Sequence, residues 1–299
     1  MACLMGDRPT QLYRECSMQL GVLFNTDRLD RGDFLTYAKR VDELGYESLW
    51  LPELFTRDPF AASGYVLANT NNVKLATGIA NIYGRDPVAT VTSSSTLQEM
   101  SEGRFILGLG VSNVALNKAR GHEWINPVEK LKTYVSAMSE VKMTTHQAEF
   151  PIHVAAHGPK MLATVATLAD GANTYLMPPE HVGEARAALG DKTLNTMLFC
   201  LLDEDPESAR GTVRKAVAYY MGLDYYHRAW RKFGFNDDDF ANGGSDRLID
   251  AVSAWGSISD VKARLQRQVD LGANRIIVIP LGAGMGGQPD WNLLEALSD

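Results

Sequence analysis

The chain has little cysteine, no excess of positive charge and no long apolar run, and each shortage removes a class of function. Cys3, Cys16 and Cys200 are its only cysteines in 299 residues. They are odd in number, widely spaced and form no CxxC, so neither a disulfide framework nor a zinc site is indicated, and no metal is expected. Basic residues number 29 against 36 acidic ones, a net charge of −7, and the pI is near 5.4. That balance argues against nucleic acid or an anionic membrane as partner. The first eighteen residues include Asp7, Arg8, Arg14 and Glu15 and lack the apolar centre of a signal peptide. No apolar run approaches the length of a membrane span. No Pro/Gly/Ser-rich linker divides the chain, so 1–299 reads as a single domain of a reducing cytoplasm, with 1–17 as a flexible leader.

What is present is one unit repeated. Apolar, strand-like runs occur at 18–24 (MQLGVLF), 48–54, 73–80, 104–111, 151–156, 172–178, 195–202 and 274–282. Between them the apolar period lengthens to that of a helix. Phe34, Tyr37, Ala38, Val41 and Leu44 mark a helix from Asp33, its N-cap, to Gly45. Asp58-Pro59 and Asp86-Pro87 open two more, with proline at the first helical position. Further helices are expected at 127–142, from Pro159 to Gly171, at 180–189, within 206–233 and at 259–272. The polar stretches 113–126 and 234–246 read as loop insertions. Eight strands alternating with helices imply a parallel sheet with right-handed crossovers. The expected fold class is α/β, a (β/α)8 TIM barrel; an open doubly wound sheet is the alternative.

In such a barrel the chemistry lies where the strands end. The fourth strand ends in Gly108-Leu109-Gly110-Val111-Ser112, which starts like a dinucleotide-binding GxG but has Asn113 where the third glycine belongs. The third ends in Gly78-Ile79-Ala80-Asn81 and the sixth near Met177. Small residues at neighbouring strand ends leave room for a flat ring to approach the backbone. His157-Gly158-Pro159 adds an anion site: with Pro159 at the first helical position, the N–H groups of Lys160 and Met161 are free for a phosphate, and Lys160 or His157 adds charge. Glu53 stands at the end of the second strand. It is either a ligand or proton-transfer group facing the ring, or an ion-pair partner of Arg57 or Arg85. His122, His146, His181 and His227 sit in polar or helical contexts, and most of them read as surface residues. Tyr219, Tyr220, Tyr225, Tyr226 and Trp230 are either helix packing or the wall of a substrate pocket.

The runs LWLPELFTRDPF, LATGIANIYGRDPVAT, GRFILGLGVS and AAHGPKMLATVATLADGANTYLMPPEH resemble the bacterial luciferase-like monooxygenase superfamily, and in particular its coenzyme F420-dependent oxidoreductase branch. The resemblance extends over about 18–283. It implies F420, or alternatively FMN, bound at the strand C-termini, with a bulged third strand and a non-prolyl cis peptide at Gly78-Ile79 behind the ring. It also implies a phosphate position at His157-Gly158. The implied activity is hydride transfer between the deazaflavin and a small organic substrate. The alternatives are an FMN-dependent monooxygenase and a cofactor-binding protein without turnover. Some deazaflavin dehydrogenases of this kind place a histidine directly after the strand-two acid; here Leu54 stands there. That departure favours carbon–carbon or imine double bonds as substrates over alcohols. A homodimer is a further expectation.

Overall fold

Ten strands join in one sheet in the computed structural model, which describes residues 18–144, 148–282 and 288–298. The expected leader 1–17, with Cys3 and Cys16, lies outside the described residues, as does His146. The strands are β1 (Gln19–Leu23), β2 (Ser48–Leu51), β3 (Lys74–Thr77), β4 (Ala80–Asn81), β5 (Phe105–Gly110), β6 (Ile152–Ala155), β7 (Gly171–Tyr175), β8 (Thr193–Leu202), β9 (Ser253–Gly256) and β10 (Arg275–Pro280). They pair in parallel in the order β10-β1-β2-β3-β5-β6-β7-β8, and β8 returns to β10 from Asn195↔Arg275 to Cys200↔Pro280. The barrel is therefore closed, as the eight repeats require.

Strands β3 and β4 are two pieces of one interrupted strand. Ala76 pairs with Ile106 and Ala80 with Leu109, so four steps on one side face three on the other. The extra residue is a bulge, and the Gly78-Ile79 peptide within it is cis. Its register is held by Thr77, whose Oγ1 donates to the carbonyl of Gly108 at 2.7 Å and accepts from the Gly108 amide at 2.9 Å. A Cβ on Gly108 would lie 1.8 Å from the Thr77 carbonyl oxygen.

Six helices start with proline at the first position, at Pro59, Pro87, Pro127, Pro159, Pro179 and Pro206. There the missing N–H costs nothing and φ is already helical. Asp58 and Asp86 cap theirs as expected, accepting from Ala61 and Ala89 amides. The first helix instead spans Arg31–Glu43, because Asp30 is the residue whose carboxylate reaches the Asp33 amide. Gly45 follows its end at φ +77°. The helix expected at 127–142 closes at Ser139. Gly171 does not close the helix Pro159–Leu168 but opens β7, where a Cβ would meet the Thr193 carbonyl at 2.7 Å. The two expected insertions hold short helices, Val114–Ala119 and Asp237–Phe240.

Strand β9 has no counterpart in the sequence reading. Phe199 and Cys200 pair with β10 and with β9 at once, so β9 occupies the other edge of β8, beyond the point where β7 stops at Tyr175↔Met197. Ser-Ala-Trp-Gly carries no apolar alternation to reveal it.

One apolar core fills the space between barrel and helices; a second fills the barrel with Leu23, Trp50, Ala76, Ile106 and Ile277, and runs up into the helices that follow β8. The deeper barrel interior is polar and closed. Asn195 Nδ2 donates to Asn173 Oδ1 and to His153 Nδ1, while Arg275 donates to Asn195 Oδ1 and to Glu47. The tautomer this selects is neutral His153 with its proton on Nε2. Burial, and then the Arg275 charge, push its pKa down to about 4.

Two outcomes follow for stability. Gly108→Ala collides with backbone and should cost about 1–3 kcal/mol or more in urea unfolding, whereas Gly158→Ala, with nothing within 4 Å of the new Cβ, should unfold like the parent. The unfolded chain binds a proton at His153 near pH 6.5 that the folded chain refuses until about pH 4. Stability should therefore fall from pH 7 to pH 5, with about 2 kcal/mol from this group. His153→Gln should make that slope shallower by this amount, with buried His157 still contributing, read from urea midpoints at the two pH values.

Candidate active site

The parallel strands put all their C-terminal ends on one face, and alternation decides which side chains look down the barrel there. Gly78, which directly follows β3, and Gly110, Ala155, Tyr175 and Phe199, of interior-facing parity in their strands, stand near this end. Gly110 serves the bulge rather than an open slot: a Cβ on it would lie 2.7 Å from the Ile79 side chain. Together with Gly108 against Thr77, this corrects the expectation that the glycines clear space for a ring directly. They clear space for the third strand, which in turn brings Gly78 and Ile79 to the mouth, where both remain partly exposed.

The other candidate residues divide by depth. Ala80 and Leu109, at 3% and 1% exposure, point into the outer core and Met177 into the inner one. Val111 and Ser112 are partly exposed, and Ser112 holds a left-handed φ of +56° at the strand exit. Such a conformation in a residue with a Cβ is uncommon and clusters at functional sites. Asn81 is buried and structural: its Nδ2 donates to Asn117 Oδ1, and Asn117 Nδ2 donates to the Val111 carbonyl.

Glu53 belongs to the same brace. Its Oε2 accepts from the Asn81 amide at 2.9 Å and its Oε1 from Arg120 Nη1 at 2.7 Å. Arg120 also donates to the Leu54 carbonyl and stands over the Phe55 ring. The expected partners are engaged elsewhere: Arg57 donates to the Thr26 and Leu29 carbonyls, and Arg85 faces Asp58. The ion pair was thus anticipated in kind but not in partner, because Arg120 lies 67 residues away with no sequence signal linking them.

At the end of β6, Gly158 is the N-cap of the helix Pro159–Leu168 and offers no capping side chain. Its φ is −89° and a Cβ there would touch nothing within 4 Å. The first backbone bond into the helix is Leu162 N–H to the Gly158 carbonyl, which leaves the Lys160 and Met161 amides at the open end. His157 does not add charge. Its Nε2 accepts from the Tyr175 amide at 3.2 Å, placing the ring proton on Nδ1. Burial, then the neighbouring His181, push its pKa down to about 3. Its carbonyl accepts from His181 Nε2, and its ring packs on Tyr225 and Tyr226. His181, one of the four histidines read mostly as surface, is 2% exposed.

The tyrosine cluster, open between packing and pocket wall in the sequence, is buried in part and exposed in part. Tyr226 and Trp230 are buried, with Trp230 Nε1 donating to the Leu176 carbonyl at 2.9 Å. Tyr219 stands exposed, and its hydroxyl accepts from Asn113 Nδ2 at 2.9 Å, joining the segment after β8 to the exit of β5. Among the described residues no cluster of His, Cys, Asp and Glu is arranged to hold a metal, and no helix is long and apolar enough to cross a membrane.

Comparison with known proteins agrees with this fold. A 5,10-methylenetetrahydromethanopterin reductase of Methanolobus tindarius is 27% identical over 292 residues, covering 82% of this chain and 90% of its own. An F420-dependent secondary alcohol dehydrogenase, solved with an F420-acetone adduct, superposes with a TM-score of 0.75 at 16% identity, over 94% of this chain and 97% of that one. The oxygenating constituent of 3,6-diketocamphane monooxygenase from Pseudomonas putida, solved with FMN, gives 0.66 at 17% identity, over 95% and 97%. The model of the luciferase-like monooxygenase family matches residues 18–275, and the chain belongs to that family.

Proposed function

We propose that the chain is an F420-dependent oxidoreductase that moves a hydride between the deazaflavin and a small organic substrate. The observation that carries the reading is the end of β6, where an uncapped helix N-terminus meets a glycine with open space before it. A phosphate fits there: the free amides donate, the helix dipole favours negative charge, and nothing but hydrogen occupies the approach. His157, held in its Nδ1–H form by the Tyr175 amide, is a neutral donor next to Gly158. The half-exposed Gly78–Ile79 bulge and the Val111–Ser112 exit are suited to back a flat ring. The names of the secondary alcohol dehydrogenase and its F420 adduct support the same cofactor.

When bound, the deazaflavin supplies or accepts a hydride at its central ring carbon. The chain's own part is to hold the tail phosphate at Gly158–Met161, to seat the ring on the bulge, and to keep water from the mouth with Phe55 and the tyrosines. Glu53 acts as a positioning residue in this reading, since both its oxygens are taken by Arg120 and the Asn81 amide. FMN is the second reading, supported by the FMN-bound monooxygenase. A reducing cytoplasm, compatible with the buried free thiol of Cys200, and a homodimer complete the proposal; gel filtration reads the latter.

Titration with F420 and with FMN, followed by fluorescence, is expected to give micromolar or tighter binding for F420 and weaker binding for FMN. The reverse order, with oxygen consumption by the reduced protein, would select the monooxygenase. Binding without turnover on any substrate would leave a cofactor carrier. Gly158→Val should keep the melting temperature and weaken F420 by about tenfold or more, about 1.4 kcal/mol. His157→Ala should lower the melting temperature as well, because it strands the Tyr175 amide. A Gly158→Val protein that folds and binds like the parent puts the phosphate elsewhere.

A further inference from the structure

Two phenols meet hydroxyl to hydroxyl at the barrel mouth, and the cofactor reading gives their hydroxyl groups no part. Along β7, Gly171 faces His153 and Asn173 faces Asn195 inside the barrel. Strand alternation puts Tyr175 on that same face, at the C-terminal end. Its ring meets Phe199 of β8 edge-on, with centroids 6.3 Å apart. Tyr220 comes from the 3-10 turn Tyr220–Gly222, in the segment after β8, and the two hydroxyls are 2.9 Å apart. Such a pair has two protons and makes one hydrogen bond between its members, so the second proton is left for a third acceptor. Tyr219 and Tyr226 pack on Tyr220. The electrostatic neighbours of the pair are further tyrosines, and burial raises both phenols above their ordinary range, which keeps them protonated.

We propose that the Tyr175–Tyr220 hydroxyl pair binds the oxygen of a carbonyl substrate and delivers the proton that makes it an alcohol, so that the chain is a reductase of ketones or aldehydes. This rests on the deazaflavin reading above. A hydride from the reduced deazaflavin forms the new C–H bond, and the C=O π pair moves onto oxygen. That oxygen takes the phenol proton, the phenolate takes its partner's proton, and water restores the partner. The carbonyl carbon gains two electrons, the deazaflavin loses two, and one proton is drawn from solvent.

Two features select a carbonyl. Neutral hydroxyl donors in an aromatic wall suit a developing alkoxide, because donors aimed at new negative charge act strongly where water is excluded. An iminium cation becomes a neutral amine on hydride addition alone, so a proton-donating pair would have no part to play with it. In this proposal the acid missing at Leu54 is supplied from β7 and the turn Tyr220–Gly222, and a carbonyl stands in place of the carbon–carbon and imine bonds that the sequence favoured.

The test uses the F420-loaded protein and its Tyr175→Phe, Tyr220→Phe and double variants, each checked by thermal melt and F420 titration. Probes are carbonyl-13C cyclohexanone, 2-cyclohexenone and 5,10-methylenetetrahydrofolate. F420 affinity should stay within about twofold in all variants. With cyclohexanone, kcat should fall about a hundredfold in each single variant, a normal loss for a general acid, with a smaller change in KM. The wild-type protein should move the carbonyl-13C resonance downfield, and the double variant should not. Retention of kcat within about threefold in folded variants overturns the proposal, as does wild-type reduction of the cyclohexenone double bond or of methylenetetrahydrofolate in preference to cyclohexanone. A flat F420 titration of the wild-type protein overturns the cofactor reading itself, and the proposal with it.

Discussion

The contact between Thr77 and Gly108 sets the geometry of everything above it. A carbonyl oxygen of one strand sits where the Cβ of the next would be, and the threonine hydroxyl closes the approach by bonding both polar groups of the glycine. With that pairing fixed, the third strand gains one residue over its neighbour, Ile79 swings onto Gly110, and Asn81 arrives where Glu53 and Asn117 brace it. The mouth therefore rests on backbone packing rather than on loops, and rigid elements hold a ligand site more accurately than loops do.

Charge is distributed by depth in a way that suits hydride chemistry. The ion pairs Glu47–Arg275 and Glu53–Arg120 each satisfy a carboxylate close to the barrel. The aromatic wall at the mouth presents neutral phenols and a neutral imidazole. A neutral, water-poor surface leaves fixed dipoles as the main field felt by a reacting group, and such dipoles need no reorganisation during reaction.

The sequence revealed what is local and periodic. Proline starts, aspartate caps and apolar period gave eight strands in the right order, and the glycine-rich exits lie together on one face of the barrel. Residues whose meaning depends on a distant partner stayed ambiguous. Gly108 looks the same whether it faces a ligand or the Thr77 carbonyl. Glu53 does not name Arg120, and Tyr175 and Tyr220 are separated by 45 residues that fold back upon one another. Leu109 and Ala80 fell to strand parity: a one-residue step sends a side chain to the outer core. Strand β9 was illegible because four residues of mixed character become a strand only beside an edge left free by the early end of β7.

That free edge makes the segment between β8 and β9 a cassette. The chain leaves the barrel at Leu202 and comes back to the same strand at Phe199↔Ser253, so both ends of some fifty residues are anchored on the last pairings along β8. Loop-closure cost grows only slowly with length. A lineage can therefore lengthen, shorten or replace the helices in between without disturbing barrel closure. Because that cassette carries Tyr219 and Tyr220, the proposed carbonyl-binding pair can change at a pace of its own while the scaffold below it stays put.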